Sequence, residues 1–338
     1  GQRLRSSLHL SHLLLVLYLS ASFTTKALNP AVPPWIIFEM AATFKPKISM
    51  NRFRHSNLKR TVFIYFCFVL FVIWVLAPLW FTVHSSFSNP SEMSVRPPNW
   101  IPAKPTLGNY ISVFTSATDK SGQYTSQQAG RMWRALSNSL IVGLLVAFSN
   151  ILIGGFAGYA YSRYRFRGSQ AGYLFLLATR VVPGIAIIVP FFAGFRAVGL
   201  IDTPWALIIS YNLFTLPFSI WLLKSYFDRM PREIEEAAYV DGASRLRTIF
   251  VIVAPLARPG LVATLLLIFL ESWSEFFYAM VLTNSLTVPP LLASYQSLQT
   301  FTWNVLAAAT VVSLIPPILL AVIFQRYIVS GLTQGAVK

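Results

Sequence analysis

Charge is what this 338-residue chain has least of. Only 11% of its residues are charged, less than half of the roughly 25% usual in soluble domains. Acidic residues are scarcer still, 11 Asp and Glu against 27 Lys and Arg. With 55% hydrophobic residues, 15% aromatics and a mean hydropathy of +0.59, the chain cannot cover itself with a polar surface. These scarcities exclude an ordinary soluble enzyme and a disordered chain, and point to a multi-pass membrane protein. Cysteine is nearly absent: Cys67 alone allows no intramolecular disulfide, and no Cys/His pair has zinc spacing. The four histidines (His9, His12, His55 and His84) fall in the first quarter, and none of them, nor Cys67, has a carboxylate nearby in sequence. No glycine is followed by lysine, so the chain has no phosphate-binding P-loop. The expectation is a protein that is not an enzyme and binds no metal or cofactor itself.

What is there is a net charge of +16 and a set of long apolar runs. Half of the excess charge lies within residues 1–60, and no basic stripe with interleaved aromatics follows, so nucleic acid is not an expected partner. A helix needs about 20 apolar residues to cross about 30 Å of hydrocarbon. Six segments qualify: Thr61–Val83, Asn138–Tyr161, Gly172–Phe195, Pro204–Tyr226, Pro259–Leu282 and Val305–Tyr327. None alternates as a strand would, and backbone polar groups in lipid must be satisfied within the segment, so an all-α bundle of six spans is expected. Several spans hold residues that kink helices or let them pack closely, among them Pro78, the Gly154-Gly155 pair, Pro183, Pro190, Pro217 and the Pro316-Pro317 pair.

Basic residues set the orientation. Arg52, Arg54, Lys59 and Arg60 precede the first span, Arg163, Arg165 and Arg167 separate the second from the third, and five arginines lie between Arg229 and Arg258. The positive-inside rule then places both core termini and the 2–3 and 4–5 loops in the cytoplasm. Residues 1–49 read as an extension ahead of a core beginning at Met50. Residues 1–60 together form that extension and a basic cytoplasmic leader, 61–330 a single transmembrane domain, and 331–338 a cytoplasmic tail.

The 4–5 loop is the most informative stretch. Pro231 suits a first helical turn, and Glu233, Glu235 and Glu236 favour a helix N-terminus. Ala237 and Ala238 form helix without bulk, Gly242 permits a turn, and Leu246, Ile249, Phe250 and Val253 line one face of a second helix. The residues themselves leave two roles open: a helix pair that docks on a protein groove, or an amphipathic helix lying in the membrane interface.

Glu236-Ala237-Ala238, then Gly242, then Ile252-Val253-Ala254-Pro255, resembles the EAA loop of ABC importer permeases, departing from its usual form only in Ala254 where leucine is common. Arg180-Val-Val-Pro183, Trp273-Ser-Glu-Phe276 and the ending Tyr327–Lys338 resemble the MalG-type permeases of carbohydrate importers. The resemblance spans about residues 58–338. It implies an all-α, MetI-like permease fold in the plasma (inner) membrane of a prokaryote. Its implied partners are a second homologous permease, two ATPase subunits that carry the ATP and magnesium, an extracytoplasmic solute-binding protein and a sugar or polyol. Carried over, Glu236 would make the polar contact to the ATPase. Ala237 and Ala238 would permit close approach, Gly242 would set the turn, and Ile252 and Pro255 would complete the loop. The competing reading, a secondary transporter or channel for a small polar solute, leaves that loop unexplained.

Ionisable groups at membrane depth cost about 2.5–3.5 kcal/mol to insert and so mark candidates for function. Arg180, Glu271 and Glu275 stand out, with Trp273 nearby and Asn212 in the fourth span as a further polar candidate. Glu271 and Glu275, four apart, are expected to share a helix face. They fit either a polar pathway wall or a structural pairing with Arg180. The resemblance implies that the uncharged 283–304 loop, with Tyr295, Gln296, Gln299 and Trp303, contacts the binding protein; the residues themselves fit a re-entrant packing element as well.

Overall fold

The computed structural model describes residues 58–93, 100–115, 130–284, 287–295 and 303–333, and every regular element among them is helical. The extension and the basic leader ahead of residue 58 lie outside the described residues, as does the end of the tail. Two compact units divide the chain, residues 1–72 and 73–338. Of the first, the described part is the start of helix α1 (Leu58–Phe87).

The second unit holds the bundle. Short helices α2 (Pro90–Met93) and α3 (Gly108–Phe114) follow α1. Helix α4 (Met132–Ser149) passes through one wide turn, Asn150–Gly154, directly into α5 (Gly155–Arg163), so that Met132–Arg163 forms one membrane-length helix. Then come α6 (Ser169–Thr179), α7 (Gly184–Ala197) and the long α8 (Pro204–Phe227). The connecting segment contains α9 (Glu233–Val240), α10 (Arg245–Thr248), a second wide turn Ile249–Val253 and α11 (Ala254–Leu256). Helices α12 (Arg258–Trp273), α13 (Phe277–Leu282), α14 (Val288–Ser294) and α15 (Trp303–Thr333) complete the described chain.

Four of the six expected spans are single helices long and apolar enough to cross a membrane: Arg60–Phe87, Met132–Arg163, Pro204–Phe227 and Trp303–Tyr327. The third is not straight. Its halves, α6 and α7, meet at 93° across Arg180–Pro183. Pro183 has no N–H to donate and holds an extended backbone at ψ 127°, so the helix stops before it and restarts after it. The fifth is also interrupted. Helix α12 has 16 residues, about 24 Å of rise, short of the roughly 30 Å of hydrocarbon. The chain breaks at Ser274–Phe276 and resumes as α13, and on its other side Arg245–Leu256 approaches α12 at 78°. Prolines mark where helices begin: Pro204, Pro255 and Pro259 each lie in a first turn, where the missing N–H removes no bond.

Packing centres on α12, which contacts α4, α8 and α15, while α8 lies along α5. Phe269 and Ile268 of α12 are fully buried against Val142, Val146 and Ala308. Glycines bring the axes together. A Cβ on Gly154 would fall 2.4 Å from Ser219 Oγ, one on Gly158 3.0 Å from the Lys224 amide, and one on Gly260 2.5 Å from the Tyr226 ring. Close approach by small residues is the usual way membrane helices gain packing contact, since lipid supplies no hydrophobic drive. The end of α1 is held by two buried amides: Asn109 donates to the Ser86 and Ser88 carbonyls at 2.9 Å, and Asn304 to those of Ser85 and Ser88.

Candidate functional site

The loop between α8 and α12 presents α9 on a built foundation. Three acids in the first turn of α9 complement its N-terminal dipole. Its end is closed by Gly242 at φ 81°, with Ala243 donating to the Ala238 carbonyl at 2.9 Å and Gly242 to that of Tyr239 at 3.1 Å. This pair of bonds satisfies the last carbonyls of a helix and requires a left-handed residue at the turn, the role glycine fills without strain. Ser244 then caps α10, its hydroxyl accepting from the Arg247 amide.

The three acids do different things. Glu235 is buried: its carboxylate accepts from Arg163 Nε at 2.6 Å and from the Tyr159 hydroxyl at 2.5 Å. Arg163 also donates to the Met230 carbonyl, and Arg232 reaches back to the carbonyl of Ser162. Four polar contacts therefore tie α9 and its approach to the end of α5. Glu236 and Ala237 face outward, beside exposed Ile234, Tyr239 and Val240, the last 88% exposed. Ala238 does not share that face. It is 6% exposed and turned inward, so its small size serves packing within this chain. Ile252 is half-buried in the second wide turn, and Pro255 is exposed in the first turn of α11.

Inside the bundle, Arg180 lies at the elbow between α6 and α7. Its guanidinium donates to Glu271 Oε1 at 2.9 Å and sits 4.7 Å above the Phe218 ring, with both charged side chains about two-fifths exposed. Glu271 and Glu275 do not share a helix face, because α12 ends at Trp273. Glu275 falls in the break, where its two oxygens accept from the amides of Tyr278 and Ala279, capping α13. Trp273 is buried against Phe269, rings 5.5 Å apart. Asn212 sits in a hydrogen-bond knot, its Oδ1 accepting from Ser149 and Asn150 and its amide donating to the Ile208 carbonyl. That knot pins α8 to the first wide turn.

Of the outer-loop candidates, Gln296 and Gln299 lie outside the described residues. Tyr295 is 3% exposed, and burial pushes its phenol up to about 12. Trp303 is exposed at the start of α15. The residues that sequence reasoning missed are Glu235, Arg163 and Tyr159. Tyr159 and Arg163 stand four apart on one helix face, but Glu235 is more than seventy positions further on, and only the fold brings them together.

Residues 150–334 match the family described as binding-protein-dependent transport system inner membrane component. The trehalose/maltose transport system permease protein MalG of Thermococcus litoralis is 34% identical over 289 residues, covering 84% of this chain and 99% of that protein. The trehalose transport system permease protein SugB of Mycobacterium tuberculosis is 34% identical over 259 residues, 75% of this chain and 89% of its own length. Among solved structures, a bacterial ABC transporter involved in the import of the acidic polysaccharide alginate aligns with a TM-score of 0.63 at 23% identity, over 81% of this chain and 98% of that one.

Proposed function

The chain belongs to the family of binding-protein-dependent transport system inner membrane components, and from that premise we propose that it is one permease subunit of an ATP-driven importer of a sugar or related polyol. The substrate class is supported by relatives named for trehalose, maltose and maltodextrin transport. A second permease completes the pathway, an extracytoplasmic binding protein delivers the solute, and two cytoplasmic ATPase subunits hold the ATP and magnesium. The arginine-rich loops and the termini of the core then face the cytoplasm of a prokaryotic cell.

The single observation that carries the coupling role is the division of labour within α9. Glu236, Ala237, Ile234, Tyr239 and Val240 are presented outward, while Glu235 holds the helix to the end of α5. A helix seated in an ATPase groove transmits force only if its other side is fixed. Closure of the ATPase pair pushes on α9, and the Glu235–Arg163 pair passes the push to Met132–Arg163. The elbow at Arg180–Pro183, held to α12 by Arg180 and Glu271, is the part of the bundle suited to gate the pathway.

The test is a pull-down and an uptake assay on the whole importer. Ala237→Trp and Glu236→Arg are expected to lower recovery of the ATPase subunit with this permease and to reduce uptake of labelled disaccharide in proportion. Undiminished recovery with both substitutions together would overturn the assignment of this face.

A further inference from the structure

The segment after α9 does not enter the bundle directly. Arg245–Leu256 approaches α12 at 78° and carries Leu246, Phe250, Val251 and Leu256 at 62%, 57%, 62% and 48% exposure. Large apolar side chains left outside a helix that runs across the next span are the mark of an interfacial helix, buried to the depth of the headgroup–acyl boundary. Cations gather at its start. Arg245 and Arg247, with Arg165 and Arg167 of the loop after α5, are exposed and make no salt bridge among the described residues.

Between this segment and the second span lies an apolar groove of about 130 Å³, lined by Ile151, Gly155, Phe156, Ile249, Phe250 and Val253 among others. Both wide turns contribute to it, Ile151 from one and Ile249 and Val253 from the other. Phe156 and Phe250 meet edge to face at its rim, 5.9 Å apart, and a Cβ added to Gly155 would meet nothing within 4 Å. Tyr159 also lines the groove, and its hydroxyl is already taken by Glu235. From Tyr159 the path to positive charge is short: its ring lies 6.2 Å from that of Tyr164, and the Arg245 guanidinium sits 5.3 Å above Tyr164.

We propose that this groove holds an acyl chain of one anionic phospholipid, with its phosphate on Arg245 and Arg247. A slot of carbon whose Tyr159 wall leads through Tyr164 to the Arg245 guanidinium is complementary to that amphiphile, whereas a soluble anion would leave the slot unfilled and a neutral lipid would leave the arginines unanswered. The seat joins α5 to the segment directly behind α9, so an occupied groove stiffens the same joint that Glu235 closes. The inference depends on the chain spanning a membrane and not on which solute it carries.

The purified importer, partially stripped of lipid, can be titrated with phosphatidylglycerol and with phosphatidylcholine and read by native mass spectrometry. One phosphatidylglycerol is expected to be retained in preference to phosphatidylcholine. Arg245→Gln and Arg247→Gln should each weaken that retention about fivefold, and Gly155→Leu, which fills the groove, should remove it. Equal retention of the two lipids by the unaltered importer would overturn the proposal without recourse to any variant. So would full retention of phosphatidylglycerol by the doubly substituted arginine variant, or contacts from the second permease filling the groove in a structure of the assembled importer. Recovery of the assembled complex distinguishes a filled groove from a misfolded Gly155→Leu chain.

Discussion

Glu235 and Glu236 are neighbours with the same side chain and opposite tasks. Adjacent positions on a helix point about 100° apart, and Glu235 falls over the α5 end, where Arg163 and Tyr159 neutralise and bond it. A buried pair loses about 3–5 kcal/mol when one partner alone is removed, because the other charge is left without water or counterion. Glu235→Met should therefore lower the thermal midpoint of the assembled importer sharply and abolish uptake. Replacing Glu235 and Arg163 together by Met should recover more stability than either single change, and a double-mutant cycle measures the coupling. Gly242 offers a cleaner test. Its surroundings are open, so Gly242→Ala carries only the conformational cost of φ 81°, about 1–2 kcal/mol. Gly242→Asn should do less harm than Gly242→Ala, and ATPase co-purification should rank the three proteins in that order.

Among elements, the adjacent glycines of the second span give opposite forecasts. Gly154→Ala drives a Cβ to 2.4 Å from Ser219 Oγ and 3.2 Å from its Cβ, so the hydroxyl must leave the Leu216 carbonyl or α8 must give, whereas Gly155→Ala meets nothing. The first should reduce yield and thermal midpoint. The second should leave them unchanged or raise them slightly, since Ala favours a helix over Gly by roughly 0.5–1 kcal/mol. The ion pair at the elbow calls for a charge swap. Arg180→Glu and Glu271→Arg combined should restore more uptake than either alone, because it is the attraction that ties α6–α7 to α12. Periodicity and hydropathy made the apolar segments legible, and the EAA spacing located α9. They did not reveal the bends, because Pro183 could equally have kinked a span or ended one, and only its extended backbone and the 93° angle between α6 and α7 show the chain restarting there. The shared face expected for Glu271 and Glu275 failed for a related reason: helical spacing holds only while the helix continues, and α12 ends two residues before Glu275.

For the molecule as a whole, a loop that docks on an ATPase, as proposed, would be only half of a coupling device. The polar residues Ser139, Asn150, Asn212 and Thr215 hold the bundle from within, with the Ser139 hydroxyl accepting from the Val288 amide and the other three joined in one network. The loop's buried Glu235 is answered by a helix that ends some seventy residues earlier. On that proposal, coupling specificity would not be a portable cassette. A chimaera that receives residues 228–258 from a distant relative, but keeps its own second span, would inherit the outward face that an ATPase reads and lose the inward partners that make reading it useful. It should assemble and still fail to transport, unless the positions of Tyr159 and Arg163 travel with the graft.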